Sequence, residues 1–248
     1  MTPEMMDIAP PDADARLQYG AHASQFVDFR RSAGSARATA PLVVVIHGGF
    51  WRARRPLTYA GHMAIALGRA GYVTANIEYR RIGEEGGGWP GTFEDTLAAI
   101  AFARARGPEF GADPGRTLLV GHSAGGHLAL LATAHLSDLR GAVSLAGVAR
   151  LRRAYELGLG DGVVAEFLGG DPRQAPERYR EADPSHYPST VPRVLLHGTA
   201  DDIVPCEVSR DFPRPRRYVE VAGADHFAFI DPESAEWPRV VGELDALR

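Results

Sequence analysis

The sequence has few of the features that mark secreted, metal-binding or membrane-spanning proteins. Cys206 is the one cysteine in 248 residues, which excludes an internal disulfide and a cysteine cluster for zinc or iron. The stretch 1–14 has no cationic flank and no apolar core, so we expect no signal peptide. No apolar run approaches the ~20 residues that a membrane-spanning helix needs. These absences favour a soluble cytoplasmic protein.

Net charge and the absence of certain short motifs exclude further classes of protein, namely those that bind nucleic acids, membrane surfaces, metals or cofactors. The formal net charge is −4 and no long run of one sign occurs, so we expect no nucleic-acid partner and no membrane-surface partner. The chain has no His-Glu-x-x-His motif and no glycine-rich phosphate loop with its lysine, so we predict no metal and no cofactor. The sequence leaves the oligomeric state open.

The pattern of apolar residues predicts the α/β class. A chain of this length fits a single domain, 1–248, in which apolar runs alternate with helical patterns around a mostly parallel sheet flanked by helices. The predicted strands are Leu42–Ile46, Tyr72–Ile77, Thr117–Val120, Gly141–Leu145, Val194–His197 and Arg217–Val221. The predicted helices are Leu57–Arg69, Thr92–Arg106, Ala124–Leu136, Pro205–Asp211 and Pro232–Leu247.

Residues 150–192 interrupt this alternation. The segment mixes short helical pieces with several prolines and lies between two predicted strands. We interpret it as a small cap or lid insertion, and an ordinary crossover that packs on the sheet is the alternative.

Ser123 is the candidate nucleophile. It lies in the middle of a Gly-x-Ser-x-Gly motif that joins a predicted strand to a predicted helix: Gly121-His122-Ser123-Ala124-Gly125. Such a turn presents the serine in strained geometry and needs glycines because two stretches of chain approach closely. A serine that only caps a helix is the weaker interpretation.

A serine hydroxyl needs a base, and the base needs a carboxylate that orients it. In strand–serine–helix proteins of this kind the order along the chain is serine, acid, histidine. The histidines after the nucleophile are His127, His135, His186, His197 and His226. We select His226 because it follows the last predicted strand, at the edge of the sheet where parallel strands place their chemistry.

The acid is expected in the loop after strand Val194–His197. Asp201 and Asp202 are adjacent there and compete for the role. The loop resembles the His-Gly-x-x-Asp-x-x-Val-Pro acid loop of many α/β-hydrolases, and that resemblance selects Asp201.

Acyl transfer also needs backbone donors for the oxyanion. We predict them at Gly48 and Gly49, in the loop after strand Leu42–Ile46, and at Ala124, directly after the nucleophile. The loop reads His47-Gly48-Gly49-Phe50-Trp51, and its glycines let the backbone approach a substrate. A plain turn after a strand is the alternative.

The His-Gly-Gly-Phe-Trp loop resembles that of kynurenine formamidases (arylformamidases) and of bacterial feruloyl-esterase-like hydrolases. Further resemblance lies in Glu78-Tyr79-Arg80-Arg81, in Gly86-Gly87-Gly88-Trp89-Pro90 and in Asp95. The resemblance implies the α/β-hydrolase fold and spans about residues 19–229. It does not identify the substrate.

Aromatic and basic residues near the loop are candidates for substrate contacts. Phe50, Trp51 and Trp89 are predicted to wall a small acyl pocket, with packing under the loop as the alternative. An arginine could bind a substrate carboxylate, although salt bridges within the protein are the favoured interpretation. The arginines concerned are Arg52, Arg54, Arg55, Arg80 and Arg81.

These residues predict a serine hydrolase that cleaves small-acyl or aryl esters through an acyl-enzyme on Ser123. The first alternative is an arylformamidase that hydrolyses N-formylkynurenine, so the expected partner is a small ester or formamide. A non-catalytic binding protein is less favoured, because all three triad positions are filled.

Overall fold

An eight-stranded sheet forms the centre of the computed structural model, which describes residues 9–34 and 39–248. The strands are β1 Ala15–Gln18, β2 Phe26–Arg30, β3 Ala40–Ile46, β4 Val73–Ile77, β5 Ala112–His122, β6 Gly141–Leu145, β7 Arg193–Gly198 and β8 Arg217–Val221. Their order is β1-β2-β4-β3-β5-β6-β7-β8. The pairs from β4 to β8 are parallel, whereas β1 and β2 are antiparallel to their neighbours. The prediction of a mostly parallel sheet is confirmed.

The helices within the described ranges flank this sheet. They are α1 Gly61–Arg69, α2 Gly91–Arg106, α3 Ala124–His135, α4 Leu151–Glu156, α5 Leu159–Leu168, α6 Pro176–Ala182, α7 Glu207–Arg210 and α8 Trp237–Asp245. Short 3-10 turns occur at Leu57–Ala60, Gly107–Phe110 and Pro184–His186.

Strand β3 shows why the core has two halves. Leu42, Val44 and Ile46 belong to the cluster that includes side chains of α2 and α3, whereas Val43 and Val45 belong to the cluster that includes side chains of α1 and α8. Successive side chains of a strand point to opposite faces of its sheet. A strand covered on both faces is therefore apolar throughout, as this one is.

Two strands were not predicted from the sequence, and the closing helix was predicted too long. β1 and β2 precede the first predicted strand and carry charged residues, and Arg16 of β1 donates two hydrogen bonds to Asp28 of β2, at 2.7 and 2.8 Å. The closing helix begins at Trp237 instead of Pro232. The prediction of no signal peptide concerns the stretch 1–14, of which residues 1–8 lie outside the described residues.

Candidate active site

Ser123 occupies the tight turn between β5 and α3. Its backbone has φ 56° and ψ −120°, in the left-handed half of conformational space that side chains disfavour. A Cβ added at Gly121 would lie 2.1 Å from the carbonyl oxygen of Gly125, and one added at Gly125 would lie 2.1 Å from that of Ile46. Both flanking glycines are therefore required by close backbone contacts.

Strand β6 fixes the strained turn. The N–H of Ser123 donates to the carbonyl oxygen of Leu145 at 2.9 Å, and its own carbonyl oxygen accepts from the N–H of Val148 at 3.2 Å. Backbone strain of about 1–3 kcal/mol persists only where the surroundings hold it in place. These bonds supply part of that constraint.

Asp201 lies against His226. Its Oδ2 accepts a hydrogen bond from Nδ1 of His226 at 2.7 Å and another from Nε2 of His197 at 3.1 Å. Its Oδ1 accepts from the N–H groups of Ile203 and Val204 at 3.0 and 2.8 Å. Burial raises the pKa of Asp201, but the hydrogen bonds from the two histidines more than offset it and leave this pKa well below its ordinary value. Asp201 is therefore a carboxylate at neutral pH.

Of the two competing aspartates, the structure brings only Asp201 to His226. The neighbouring Asp202 has an exposed side chain, whereas Asp201 is 7% exposed. His197, one of the histidines not selected from the sequence, is the second histidine on the carboxylate. Its Nε2 also lies 2.7 Å from the carbonyl oxygen of Val204.

A buried pair of side chains supports the loop that carries His226. Nε2 of His122 donates to the carbonyl oxygen of His226 at 2.8 Å, and Nδ1 of His122 accepts from the hydroxyl of Tyr59 at 2.6 Å. Burial and the neighbouring His226 hold the pKa of His122 well below its ordinary value, which fits the neutral form that this bonding needs. Sequence reasoning gave neither residue a role here, because their contact crosses 63 residues of chain.

The loop after β3 approaches the nucleophile with its backbone. An added Cβ at Gly48 would lie 2.9 Å from the carbonyl oxygen of His122 and 3.0 Å from Cβ of Ser123. Gly48 is buried, whereas Gly49 and Phe50 are partly exposed and line the cavity at Ser123. Within the described ranges, the N–H groups of Gly49 and Phe50 donate to no protein acceptor.

His47 anchors this loop from beneath. Its ring is fully buried and stacks on Tyr79 with 4.4 Å between ring centroids. Nδ1 lies 2.8 Å from the carbonyl oxygen of Gly48, and Nε2 lies 2.9 Å from Oε1 of Glu78. Oε2 of Glu78 accepts from the N–H of Leu57 at 2.8 Å, so one carboxylate holds both ends of the segment 47–57.

Ser123 and His226 line one cavity of about 160 Å³. The remaining lining residues are Gly49, Phe50, Arg54, Arg55, Tyr59, Ile203 and Phe227. Pockets for drug-sized ligands commonly hold ~300–1,000 Å³. The cavity therefore has room for a small acyl group.

Of the three aromatic residues predicted to wall this cavity, only Phe50 does so. The prediction for Trp51 is wrong, because its side chain is fully buried and stacks on Phe167 with 4.5 Å between ring centroids. The prediction for Trp89 is also wrong, because its ring packs on Phe93 and Phe167 away from the cavity. Both follow the alternative interpretation of packing beneath the loop.

Most of the arginines near the loop form salt bridges inside the protein. Arg80 pairs with Asp95 at 2.8 Å. Arg52 pairs with Glu166 at 2.6 Å, and Arg81 pairs with Glu78 and Glu84 at 3.4 and 3.1 Å. Arg54 and Arg55 line the cavity.

The segment 150–192 comprises helices α4, α5 and α6 and packs against the loop after β3. Phe167 stacks on Trp51, and Gly160 lies against the ring of Phe50. No residue of the segment lines the cavity at Ser123. Its role as a lid stays a prediction.

Neither a metal site nor a membrane-spanning helix occurs among the described residues. Across residues 9–34 and 39–248, no three His, Cys, Asp or Glu side chains are grouped so that they could hold a metal ion. None of the helices in these ranges is long and apolar enough to cross a bilayer.

The chain is similar in sequence to known esterases. The sequence model of the BD-FAE family matches residues 31–143. The chain is 27% identical to Esterase LipC of Mycobacterium tuberculosis over 87% of its length, and 30% identical to the probable carboxylic ester hydrolase LipM of that organism over 83%. It spans 60% of the length of LipC and 52% of that of LipM.

Solved structures share the architecture. A truncated carbohydrate esterase from gut microbiota superimposes with a TM-score of 0.80 at 17% identity, over 97% of this chain and 98% of that one. Esterase B from Lactobacillus rhamnosis superimposes with a TM-score of 0.79 at 21% identity, over 97% of this chain and 87% of that one. Together with the order of strands and the serine turn, these likenesses show that the chain has the α/β-hydrolase fold.

Proposed function

We propose that the protein is a serine hydrolase that cleaves small carboxylic esters through an acyl-enzyme on Ser123. One observation carries the proposal: Ser123 shares a small cavity with His226, whose ring Asp201 holds at 2.7 Å. Fold alone would not support an activity, because one fold hosts many functions.

In the proposed acylation step, the hydroxyl oxygen of Ser123 attacks the ester carbonyl carbon and His226 accepts its proton. The hydrogen bond from Nδ1 to Asp201 leaves Nε2 as the basic nitrogen of His226. The carboxylate then stabilises the imidazolium that forms. His226 returns the proton to the departing alkoxide, and the alcohol leaves.

The developing oxyanion needs backbone donors, and we assign this role to Gly49, Phe50 and Ala124. The first two line the cavity, and their N–H groups have no acceptor among the residues that the structure describes. The N–H of Ala124 belongs to the first residue of α3, and the first N–H groups of a helix lack helical partners. Gly48, predicted as a donor from the sequence, lies against Ser123 without lining the cavity, and its N–H stays a candidate donor beside that of Gly49.

In the second half of the reaction, water attacks the acyl-enzyme and His226 accepts its proton. The acid product then leaves Ser123, which regains its hydrogen from the same ring. The triad does not by itself distinguish an ester from a formamide, because both pass through the same tetrahedral chemistry.

Two observations favour a short acyl ester. The cavity is small, and the named relatives are described as esterases or as a carboxylic ester hydrolase. Hydrolysis of N-formylkynurenine is the alternative, and it is supported by the resemblance of the loop after β3 to that of arylformamidases.

A side-by-side assay tests the proposal. Purified protein is given 4-nitrophenyl acetate, butyrate and decanoate, and separately N-formylkynurenine. We expect turnover of the acetate and butyrate to exceed that of the decanoate, and all turnover to be lost in Ser123→Ala. Turnover of the formamide alone would assign the arylformamidase activity, and turnover of no substrate would support a binding protein.

A further inference from the structure

Arg54 brings a guanidinium to the lining of the cavity at Ser123. Two of the nine lining residues, Arg54 and Arg55, are cationic, and none of the nine is an aspartate or glutamate. The other lining residues have apolar or polar side chains without a fixed charge. The field inside such a cleft attracts anions, because its low-dielectric walls focus the potential of the charges that line it.

Arg54 differs from the neighbouring arginines in its contacts. The side chains of Arg52, Arg80 and Arg81 are paired with carboxylates that limit their reach. Within residues 9–34 and 39–248, the guanidinium of Arg54 has no hydrogen bond or ion pair to a protein group, and its side chain is exposed. An exposed residue that lines a cavity lies at the rim of that cavity.

Arg55 is less suited to contact a substrate. An added Cβ at Gly49 would lie 2.4 Å from Cβ of Arg55, so the two residues are packed together. The carbonyl oxygen of Arg55 also accepts a hydrogen bond from Arg81 at 3.0 Å. Arg55 therefore belongs to the scaffold of the loop, and the rim cation is Arg54.

We propose that Arg54 selects esters that carry an anionic group on the alcohol side of the ester bond. The proposal rests on the hydrolase activity proposed above. In this arrangement the acyl group lies beside Ser123 and His226, and the alcohol part of the ester extends towards Arg54 at the rim of the same cavity. A carboxylate on that part meets the guanidinium, whose parallel N–H groups match a carboxylate in a bidentate pair.

We expect the contribution of Arg54 to this selectivity to be modest, because the rim of the cavity is exposed to solvent. Exposed ion pairs contribute little, since water and salt screen them. We expect Arg54 to raise the preference for an anionic ester by about three- to tenfold at 0.1 M salt, and we expect 1 M salt to remove most of this preference.

Two matched acetate esters test the proposal: 4-acetoxybenzoate, which carries a carboxylate, and methyl 4-acetoxybenzoate, which is neutral. The measured quantity is the ratio of their kcat/KM values. We expect Arg54→Gln to lower this ratio three- to tenfold and Arg54→Lys to retain most of it. Arg173→Gln removes an exposed arginine elsewhere on the surface and serves as the matched control, which keeps the wild-type ratio.

The outcomes separate this proposal from the proposed function. If both esters are hydrolysed and Arg54→Gln leaves the ratio unchanged, the role of Arg54 is refuted and the esterase activity stands. If neither ester is hydrolysed, the esterase activity fails. Binding of intact 4-acetoxybenzoate to Ser123→Ala, followed by NMR titration with and without Arg54→Gln, then decides the role of Arg54: unchanged binding refutes it, and weaker binding supports it.

Discussion

At the scale of single residues, Asp201 holds the arrangement on which the proposed chemistry depends. Its four hydrogen bonds fix a carboxylate against Nδ1 of His226 and against the loop that follows. Without the carboxylate, the ring can place its proton on the wrong nitrogen and can no longer accept one from Ser123.

Asp201→Asn is therefore expected to lower kcat on 4-nitrophenyl acetate by about 10⁴-fold, as the loss of a triad carboxylate does elsewhere. The matched control is Asp202→Asn, which removes the adjacent exposed carboxylate and should change kcat less than twofold. Comparable losses in the two variants would contradict the assignment of the acid.

The positions of the candidate triad could be read from the sequence. The serine motif, the place of His226 after the last predicted strand and the resemblance of the acid loop to that of α/β-hydrolases each point to one residue. Tyr59, His122 and His197 could not be assigned roles in the same way. Their contacts with the site depend on how distant loops meet, and no local spacing encodes that. The prediction that Trp51 lines the cavity was wrong for the same reason. Trp51 directly follows a cavity residue, but its side chain packs inward on Phe167.

At the scale of elements, the turn between β5 and α3 depends on close contact between stretches of backbone. At Gly121, an added methyl group would meet the backbone of Gly125, which cannot move without displacing helix α3. At Gly242, on the exposed face of α8, nothing lies within 4 Å of an added Cβ.

Alanine at these two glycines is expected to have opposite effects. Gly121→Ala should lower the free energy of unfolding by several kcal/mol or prevent folding, because the clash is with backbone. Gly242→Ala should raise it by about 0.5–1 kcal/mol, since alanine is the better helix former. Urea unfolding followed by circular dichroism measures both. Equal stability of the Gly121→Ala and Gly242→Ala proteins would contradict the close backbone contact at Gly121.

The buried parallel strands were predictable because each is a continuous run of apolar residues. β1 and β2 were not, since their sequences, Ala-Arg-Leu-Gln and Phe-Val-Asp-Phe-Arg, mix charge with apolar residues. In the folded protein Arg16 of β1 pairs with Asp28 of β2, and Val27 and Phe29 of β2 are fully buried. A pairing of this kind is visible only once the strands are placed side by side.

At the scale of the whole molecule, buried histidines connect folding to pH. Nε2 of His127 donates to the carbonyl oxygen of Ala182 at 2.7 Å, and burial lowers the pKa of His127 from 6.5 to about 4. The unfolded chain takes up this proton near pH 6.5, whereas the folded protein does so only near pH 4. Between these values the unfolded state binds more protons, so stability falls as the pH falls.

His127→Gln removes this titration and keeps a donor for Ala182. Between pH 7 and pH 4 the wild type should lose about 3 kcal/mol more unfolding free energy than the variant. Urea unfolding at several pH values measures the difference, and the exposed His186→Gln should retain the wild-type dependence. Parallel curves for wild type and His127→Gln would refute the account.

The central claim is that Ser123 is a nucleophile activated by His226. Intact-protein mass spectrometry after treatment with a fluorophosphonate, with peptide mapping of the adduct, tests it most directly. We predict one covalent adduct on Ser123, formed much more slowly in His226→Ala and absent in Ser123→Ala. No adduct on the folded wild-type protein, or an adduct that persists in Ser123→Ala, would contradict the claim.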